Sequence, residues 1–151
     1  MSKPTTDRPE DIIAQECVAV RLRMLNRVVS KIYDDTLRPL GVRASQLNIL
    51  VATAKFSVAH PVEICDRLQL DASTLSRNVE RMKAKAWLVV VPSADGRAQP
   101  FRLTAKGRRL LQRVMPLWNE AQQKVNDLLG AETLAVFDEA AQRVRGESSS
   151  P

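Results

Sequence analysis

The chain of 151 residues is long enough for one folded domain, and its composition, 44% hydrophobic and 26% charged, is typical of a folded protein and too apolar for general disorder. No apolar run reaches the ~20 residues that a membrane-spanning helix requires. The N-terminus, MSKPTTDRPEDII, lacks the apolar core of a signal peptide. Because its two cysteines, Cys17 and Cys65, also suit a reducing compartment, we expect a cytoplasmic protein without a membrane partner.

The net charge of +6 is concentrated in the middle of the chain. Residues 71–109 carry nine Lys/Arg and three Asp/Glu, a net charge of +6, whereas residues 1–70 carry +2 and residues 110–151 carry −2. A clustered basic face is typical of a phosphate-binding surface. The alternative is a basic face that serves only solubility.

The first third of the chain predicts one long helix, from about Pro9 to Arg38, which Pro39 and Gly41 end. Its apolar residues repeat at spacings of three and four in two neighbouring stripes. The stripes are Val18, Leu22, Leu25, Val29 and Ile32, and Ile13, Cys17, Val20, Met24 and Val28. This apolar face is wider than one small domain usually covers.

The middle of the chain predicts three short helices and a hairpin. The first two helices span about Ser45 to Phe56 and Pro61 to Leu68, and the third begins after the N-cap Asp71. The strand-like runs WLVVV and PFRL then flank the loop PSADGRAQ, whose Asp-Gly pair is a hairpin signal. This order of elements is that of a winged helix-turn-helix.

Two further helices are predicted at the C-terminus. Thr104 caps a helix that reaches about Leu129 and that Pro116 should kink or interrupt, and another runs from about Glu132 to Arg145. Their apolar seams are Leu111, Val114, Trp118, Ala121, Val125 and Leu128, and Leu134, Phe137, Ala141 and Val144. We therefore expect dimerisation through the terminal helices, or else a helical cap packed within one chain.

The predicted fold class is mainly α. Residues 1–151 form a single unit, in which residues 43–103 are the winged helix-turn-helix with its small β-hairpin. The long helices at 9–39 and 104–145 lie outside that unit and serve dimerisation.

The helix after Asp71 has two different faces. On a helical wheel Leu75, Val79, Met82 and Ala86 cluster on one side. The opposite side carries Ser73 and Arg77 with Arg81 nearby, and Thr74 and Ser76 lie on its flanks, so hydroxyl and guanidinium groups line this part of the helix. A helix about 10–12 Å across fits the DNA major groove, and long basic side chains reach phosphate or guanine. Charge and shape therefore indicate double-stranded DNA as the partner.

The segment that begins at Leu70 and ends at Leu111 resembles the recognition helix and wing of MarR-type (multiple antibiotic resistance regulator) transcription factors. The motifs are Ser76-Arg77, Asp95-Gly96-Arg97 and Leu103-Thr104-Ala105-Lys106-Gly107-Arg108. The order of elements matches the family over nearly all the chain. In this sequence Ala86 replaces the glycine that usually follows the recognition helix, Arg43 replaces a capping hydroxyl, and the wing is short.

The resemblance implies a homodimeric repressor that binds a pseudo-palindromic operator. Ser73, Thr74, Ser76, Arg77 and Arg81 would face the major groove. Arg97 would enter the minor groove, braced by Asp95. Alternatively, Arg81 pairs with Glu80 or is only solvated, and Arg97 is a simple surface turn residue.

The resemblance also implies release by a small molecule or by thiol oxidation. Cys17 lies roughly where some peroxide-sensing relatives carry a reactive cysteine, although packing is its alternative role. For a small aromatic effector, the cleft between the dimerisation helices and the winged part is the expected site, to which Met24, His60 and Trp118 could contribute. Core packing for Met24 and Trp118, and helix capping for His60, are the alternatives.

Other classes of function fit less well. The single histidine has no paired nucleophile, and two isolated cysteines cannot form a zinc site, so we expect no enzyme, metal or cofactor. The remaining rival is a winged helix that binds protein instead of DNA.

Overall fold

The computed structural model describes residues 8–96 and 99–147. Within these ranges the chain forms seven α-helices and one two-stranded sheet. Their bounds are α1 Pro9–Glu16, α2 Val18–Leu37, α3 Ala44–Ala54, α4 Pro61–Leu68, α5 Ala72–Ala84, β1 Leu88–Val90, β2 Phe101–Leu103, α6 Ala105–Leu129 and α7 Ala131–Glu147. A 3-10 turn, Arg38–Leu40, follows α2 and ends at Gly41 in the left-handed conformation (φ +65°). Among the helices of the described ranges, none combines the length and the hydropathy that spanning a bilayer requires.

The core lies where α3, α4 and α5 meet the sheet and the first half of α6. Its buried side chains come from each of these elements, from the end of α2 and from the turn between α2 and α3. They include Leu37, Val42, Ile49, Leu50, Ile64, Leu75, Met82 and Phe101. Since each such side chain contributes about 1.5–3 kcal/mol by leaving water, the winged part has a core of its own.

The sheet is short and antiparallel. Leu88 pairs with Leu103, and Val90 pairs with Phe101. Ala59 adds an isolated bridge, because its N–H donates to the Phe101 carbonyl (2.8 Å) and its carbonyl accepts the Phe101 N–H in return (3.0 Å). This third segment, which no local pattern in the sequence predicts, ties the loop before α4 to the hairpin.

Two side chains cap α3 in place of the missing hydroxyl at Arg43. The Asp34 carboxylate on α2 accepts the Ala44 N–H (2.8 Å) at the first turn of α3. The Gln46 side chain accepts the N–H of Arg43 (3.1 Å). A negative charge is favourable at this end of a helix, so α2 supplies the cap from outside α3.

The prediction of one continuous helix from Pro9 to Arg38 is wrong at Cys17. This residue has an extended backbone (φ −65°, ψ 108°) that separates α1 from α2. None of the residues of α1 is buried, so no packing holds it in line with α2. At Pro116 the predicted interruption does not occur, since α6 continues through that residue; a kink there stays a prediction.

The terminal helices leave much of their apolar surface exposed in the single chain. The side chains of Val18, Leu22 and Met24 are 63%, 51% and 60% exposed. The prediction that Val144 packs inward is wrong for one chain, since it is 50% exposed. Leu134 and Phe137 are half-buried. Intramolecular contacts therefore do not cover these stripes.

Candidate nucleic-acid interface

Helix α5 presents one apolar and one polar face, as the sequence predicts. Leu75, Val79 and Met82 are buried against the core. The opposite face is exposed and is formed by Ser73, Ser76, Arg77, Glu80, Arg81 and Ala84, with Thr74 half-buried at its edge. The hydroxyl and guanidinium groups thus share one solvent-facing surface, which we call the reading face (Ser73, Thr74, Ser76, Arg77 and Arg81).

Asp71 organises the start of this helix. Its carboxylate accepts hydrogen bonds from the Ser73 hydroxyl (2.6 Å), from the Thr74 hydroxyl (2.6 Å) and from the Thr74 backbone N–H (2.8 Å). These bonds, that of Ser73 foremost, hold the pKa of Asp71 well below its usual value. The Ser73 and Thr74 hydroxyls therefore donate to the cap, and they offer a partner only their oxygen lone pairs.

Arg77 lies back over the first turn of α5. Its guanidinium is 3.5 Å from the Thr74 hydroxyl oxygen. Glu80 pairs with Lys83 (2.8 Å), so the predicted alternative pair between Arg81 and Glu80 does not form. Arg81 is exposed and makes no ion pair with any residue that the structure describes. Both cationic side chains are thus available on the reading face.

The turns on either side of α5 fix its angle. Gln69 ends α4 in the left-handed conformation (φ +52°). Ala86 follows α5 with φ +57°, and the N–H groups of Trp87 and Ala86 donate to the carbonyls of Met82 (2.9 Å) and Lys83 (2.8 Å). This is a Schellman cap, which usually contains glycine at the Ala86 position. The helix therefore ends as in a glycine-capped sequence, with a strained alanine.

The hairpin and α6 are locked to the end of α5. The Thr104 hydroxyl donates to the Ala86 carbonyl (2.6 Å) and accepts the Gly107 N–H (3.0 Å). The Thr104 N–H donates to the Trp87 carbonyl (3.1 Å). Thr104 therefore does more than cap α6, the single role that the sequence predicts for it. Its second role explains why the Leu-Thr-x-x-Gly spacing accompanies the wing.

The wing continues beyond the strands, where the Val91 N–H donates to the Pro100 carbonyl (2.8 Å). Asp95 is exposed in this loop. The predicted wing-tip residue Arg97 lies outside the described residues, so its pairing with Asp95 stays a prediction.

A cavity of about 530 Å³ opens between α3, α4 and the middle of α6. Its walls are apolar and include Leu47, Val51, Leu111 and Trp118, while Lys55 and Arg67 add two cations. Of the three predicted pocket residues, only Trp118 lines it. Met24 is 60% exposed in one chain, so it neither lines a pocket nor packs in the core there. His60 is the exposed N-cap of α4, where its backbone N–H donates to the Glu63 carboxylate (2.9 Å).

The two cysteines differ in position. Cys17 is half-buried at the break between α1 and α2. Cys65 packs partly buried against the core, and burial, aided by Asp66 and Asp71, raises the pKa of its thiol. A raised pKa disfavours the reactive thiolate, which agrees with a packing role for Cys65.

Comparison with known proteins agrees with this geometry. A model of the MarR family matches residues 40–99. The multiple antibiotic resistance protein MarR of Escherichia coli is 24% identical over 144 residues, which cover 94% of this chain and 98% of that protein. A mutant of that protein, solved in complex with operator DNA, covers 88% of this chain and 96% of its own with a TM-score of 0.75 and 22% identity.

Two other solved regulators resemble the chain. MosR of Mycobacterium tuberculosis, solved in complex with DNA, is 31% identical with a TM-score of 0.70, covering 86% of this chain and 99% of its own. BpsR of Bordetella bronchiseptica, whose DNA binding is regulated by 6-hydroxynicotinic acid, is 22% identical with a TM-score of 0.74, covering 85% and 93%.

The short helices, the exposed reading face and the hairpin locked behind it define a winged helix-turn-helix protein. With the matches in sequence and fold, the chain belongs to the MarR family.

Proposed function

We propose that the protein is a homodimeric, sequence-specific regulator of transcription that binds double-stranded DNA in the cytoplasm and acts by binding, not by catalysis. The observation that carries this proposal is the reading face of α5, in which hydroxyl and guanidinium groups face solvent while Leu75, Val79 and Met82 anchor the helix from behind. MosR, at 31% identity over nearly its whole length, was solved in complex with DNA.

In this function α5 lies in the major groove. Arg77 and Arg81 are one turn apart and long enough to contact a guanine edge or a phosphate. Ser73 and Thr74 donate to Asp71, so their lone pairs accept hydrogen bonds, for example from the amino group of cytosine or adenine. Ser76 lies on the side of α5 toward the wing, and Arg97 at the wing tip reaches the minor groove.

The second copy of the chain packs on the terminal helices. Large apolar side chains are exposed along α1, the first half of α2, and α7, among them Ile13, Val18, Leu22, Met24 and Val136. A monomer rarely leaves this many large apolar side chains in contact with water. A two-fold dimer places two copies of α5 about one helical turn of DNA apart and therefore selects a pseudo-palindromic operator.

The proposed regulation is repression that a small aromatic acid relieves. The cavity lined by Trp118, Leu47 and Leu111 offers an apolar surface for a ring, and Lys55 and Arg67 offer charge for a carboxylate. BpsR is regulated by an aromatic acid of this chemistry. Of Met24, His60 and Trp118, this proposal keeps only Trp118, because the other two do not line the cavity.

Selection of bound duplexes from a random pool tests the central claim. We expect a two-fold symmetric consensus, with a linear fall of log affinity against log salt concentration as phosphate contacts displace counterions. Repeating the selection with benzoate or 6-hydroxynicotinic acid, on the wild type and on Arg67→Gln, tests the effector. Binding without sequence preference and with no salt dependence would favour a winged helix that binds protein.

A further inference from the structure

A second basic surface lies at the base of the wing, away from the hairpin loop. It is a groove of about 580 Å³ bounded by Leu40 and Gly41 after α2, by Lys85 and Trp87 after α5, and by the first half of α6. Because β1 and β2 lead from this base to the wing tip, the groove lies at the opposite end of the hairpin from that tip. We call it the basal groove.

Four cations and no acid line the basal groove among the residues that the structure describes. The cations are Lys85, Lys106, Arg109 and Arg113. The last three are spaced by three and four along α6, so they share one face of that helix. None of the four forms an ion pair with a carboxylate in the described ranges. The nearby Lys83, by contrast, pairs with Glu80 at 2.8 Å.

This arrangement is unfavourable while the groove is empty. The first turn of α6 carries no acid, and Lys106 lies there although the positive end of a helix dipole disfavours cations. Like charges one turn apart on a helix also repel each other. A bound anion would remove both penalties. A surface that only contacts water would be more stable with acidic and basic side chains mixed.

Two contacts hold the Lys85 side chain in place in the wall of the groove. The Lys85 ammonium donates to the Gly41 carbonyl and lies 4.5 Å from the centre of the Trp87 ring. Trp87 and Leu110 are buried and form an apolar floor. A volume of this size falls within the range of small-molecule sites, about 300–1,000 Å³. A concave, apolar-floored site suits a compact ligand better than the outside of a duplex.

We propose that the basal groove binds a small multivalent phosphate compound, through Arg109 and Arg113 with Lys85 and Lys106. Guanidinium groups bind phosphate with paired hydrogen bonds, and the two lysines supply further charge. This site is separate from the reading face and from the cavity at Trp118, and it does not depend on DNA recognition. A ligand there contacts both the segment after α2 and the turn after α5, so it bridges the dimerisation and reading elements.

Calorimetric titration of the full-length protein with inorganic tripolyphosphate, at constant ionic strength, tests the proposal. We expect saturable binding of one tripolyphosphate per chain. The double variant Arg109→Gln/Arg113→Gln should lose about tenfold or more in affinity, because it removes two charge-assisted contacts. Arg108→Gln is the matched control, since Arg108 is exposed on the same helix but does not line the groove.

A second variant and a duplex titration complete the test. Lys106→Gln alone should weaken tripolyphosphate binding while leaving the unfolding temperature of the empty protein unchanged or higher. Three results would overturn the proposal. The first is no saturable binding of tripolyphosphate to the wild type, and the second is an equal loss of affinity in Arg108→Gln. The third is that the double variant loses as much affinity for a non-specific DNA duplex as for tripolyphosphate. The last result would assign the groove to DNA.

Discussion

Gly107 of α6 packs so closely on the backbone carbonyl of Trp87 that an added Cβ atom would lie 2.3 Å from that oxygen and 3.0 Å from a methyl group of Leu103. The contact occurs at the base of the wing, beside the hydrogen bonds of Thr104 to Ala86 and Gly107. The contact joins the end of α5, the hairpin and α6 into one unit. A rigid support of this kind is what keeps contact residues in a fixed geometry.

The first prediction is that Gly107→Ala destabilises the protein by about 2 kcal/mol. Backbone atoms must shift to admit the methyl group, and this cost exceeds the gain of about 1 kcal/mol in helix propensity. Urea denaturation followed by circular dichroism measures the change. Gly146→Ala is the control, because nothing lies within 4 Å of its added Cβ. Equal stability of Gly107→Ala and the wild type would contradict the close packing.

The second prediction concerns the left-handed Ala86, whose φ is +57°. The left-handed conformation destabilises the folded state by roughly 1–2 kcal/mol when the residue is alanine. Glycine adopts this conformation freely, but its greater freedom in the unfolded chain lowers the free energy of unfolding by about 0.4–1 kcal/mol. Ala86→Gly should therefore stabilise the protein by about 0.5–1 kcal/mol. In the same denaturation assay Ala84→Gly, at the last residue of α5, should destabilise it. A loss of stability in both variants would argue against strain at Ala86.

Much of the fold can be predicted from the sequence because its signals are local. Pro61 and Leu68 bound α4, Asp71 caps α5, and Thr104 caps α6, as the capping and periodicity patterns indicate. The polar face of α5 follows from the same periodicity.

Features that lack a local signal, or that depend on distant contacts, could not be predicted. The break at Cys17 has no glycine or proline signal, and the bridge from Ala59 to Phe101 joins segments 42 residues apart in sequence. The cap that Asp34 gives to α3 also comes from another helix. Met24 has the spacing of a core residue. The same spacing occurs in a stripe that packs inside the chain and in one that faces solvent, so the sequence alone does not distinguish the two.

The third prediction is a pH effect from Asp71. Its pKa is lowered by the hydrogen bonds of Ser73 and Thr74, so its carboxylate stabilises the folded state above the unfolded-state pKa of about 3.9, and this contribution is lost progressively as the pH falls from there toward the lower folded-state pKa. Asp71→Asn keeps an acceptor but has no such charge. The unfolding free energy of the wild type should therefore decrease more steeply than that of Asp71→Asn between about pH 5 and pH 3. Parallel pH profiles would show that the hydrogen bonds do not depend on the charge.

The fourth prediction concerns the reading face. Arg77→Ala should weaken operator binding by about 1–3 kcal/mol, the value of a good base contact. Fluorescence anisotropy with the selected duplex measures the affinity. Arg108→Ala, which removes an exposed cation of the same basic segment from α6, controls for the general electrostatic field. If both variants lose affinity equally, Arg77 contributes only charge and makes no specific contact.

The fifth prediction is that Leu22→Glu separates the dimer. Leu22 is 51% exposed in one chain and lies on the predicted dimerisation stripe of α2. Two leucine side chains per dimer would leave the interface, at about 1.5–3 kcal/mol each, and two carboxylates would be placed against an apolar surface. Sedimentation velocity over a range of concentrations should then show a monomer where the wild type is a dimer. Val62→Glu is the control, because Val62 is 69% exposed on α4, outside the terminal helices, and a charge there should leave the dimer intact. A wild type that sediments as a monomer, or a Leu22→Glu variant that associates as tightly as the wild type, would contradict dimerisation through α2.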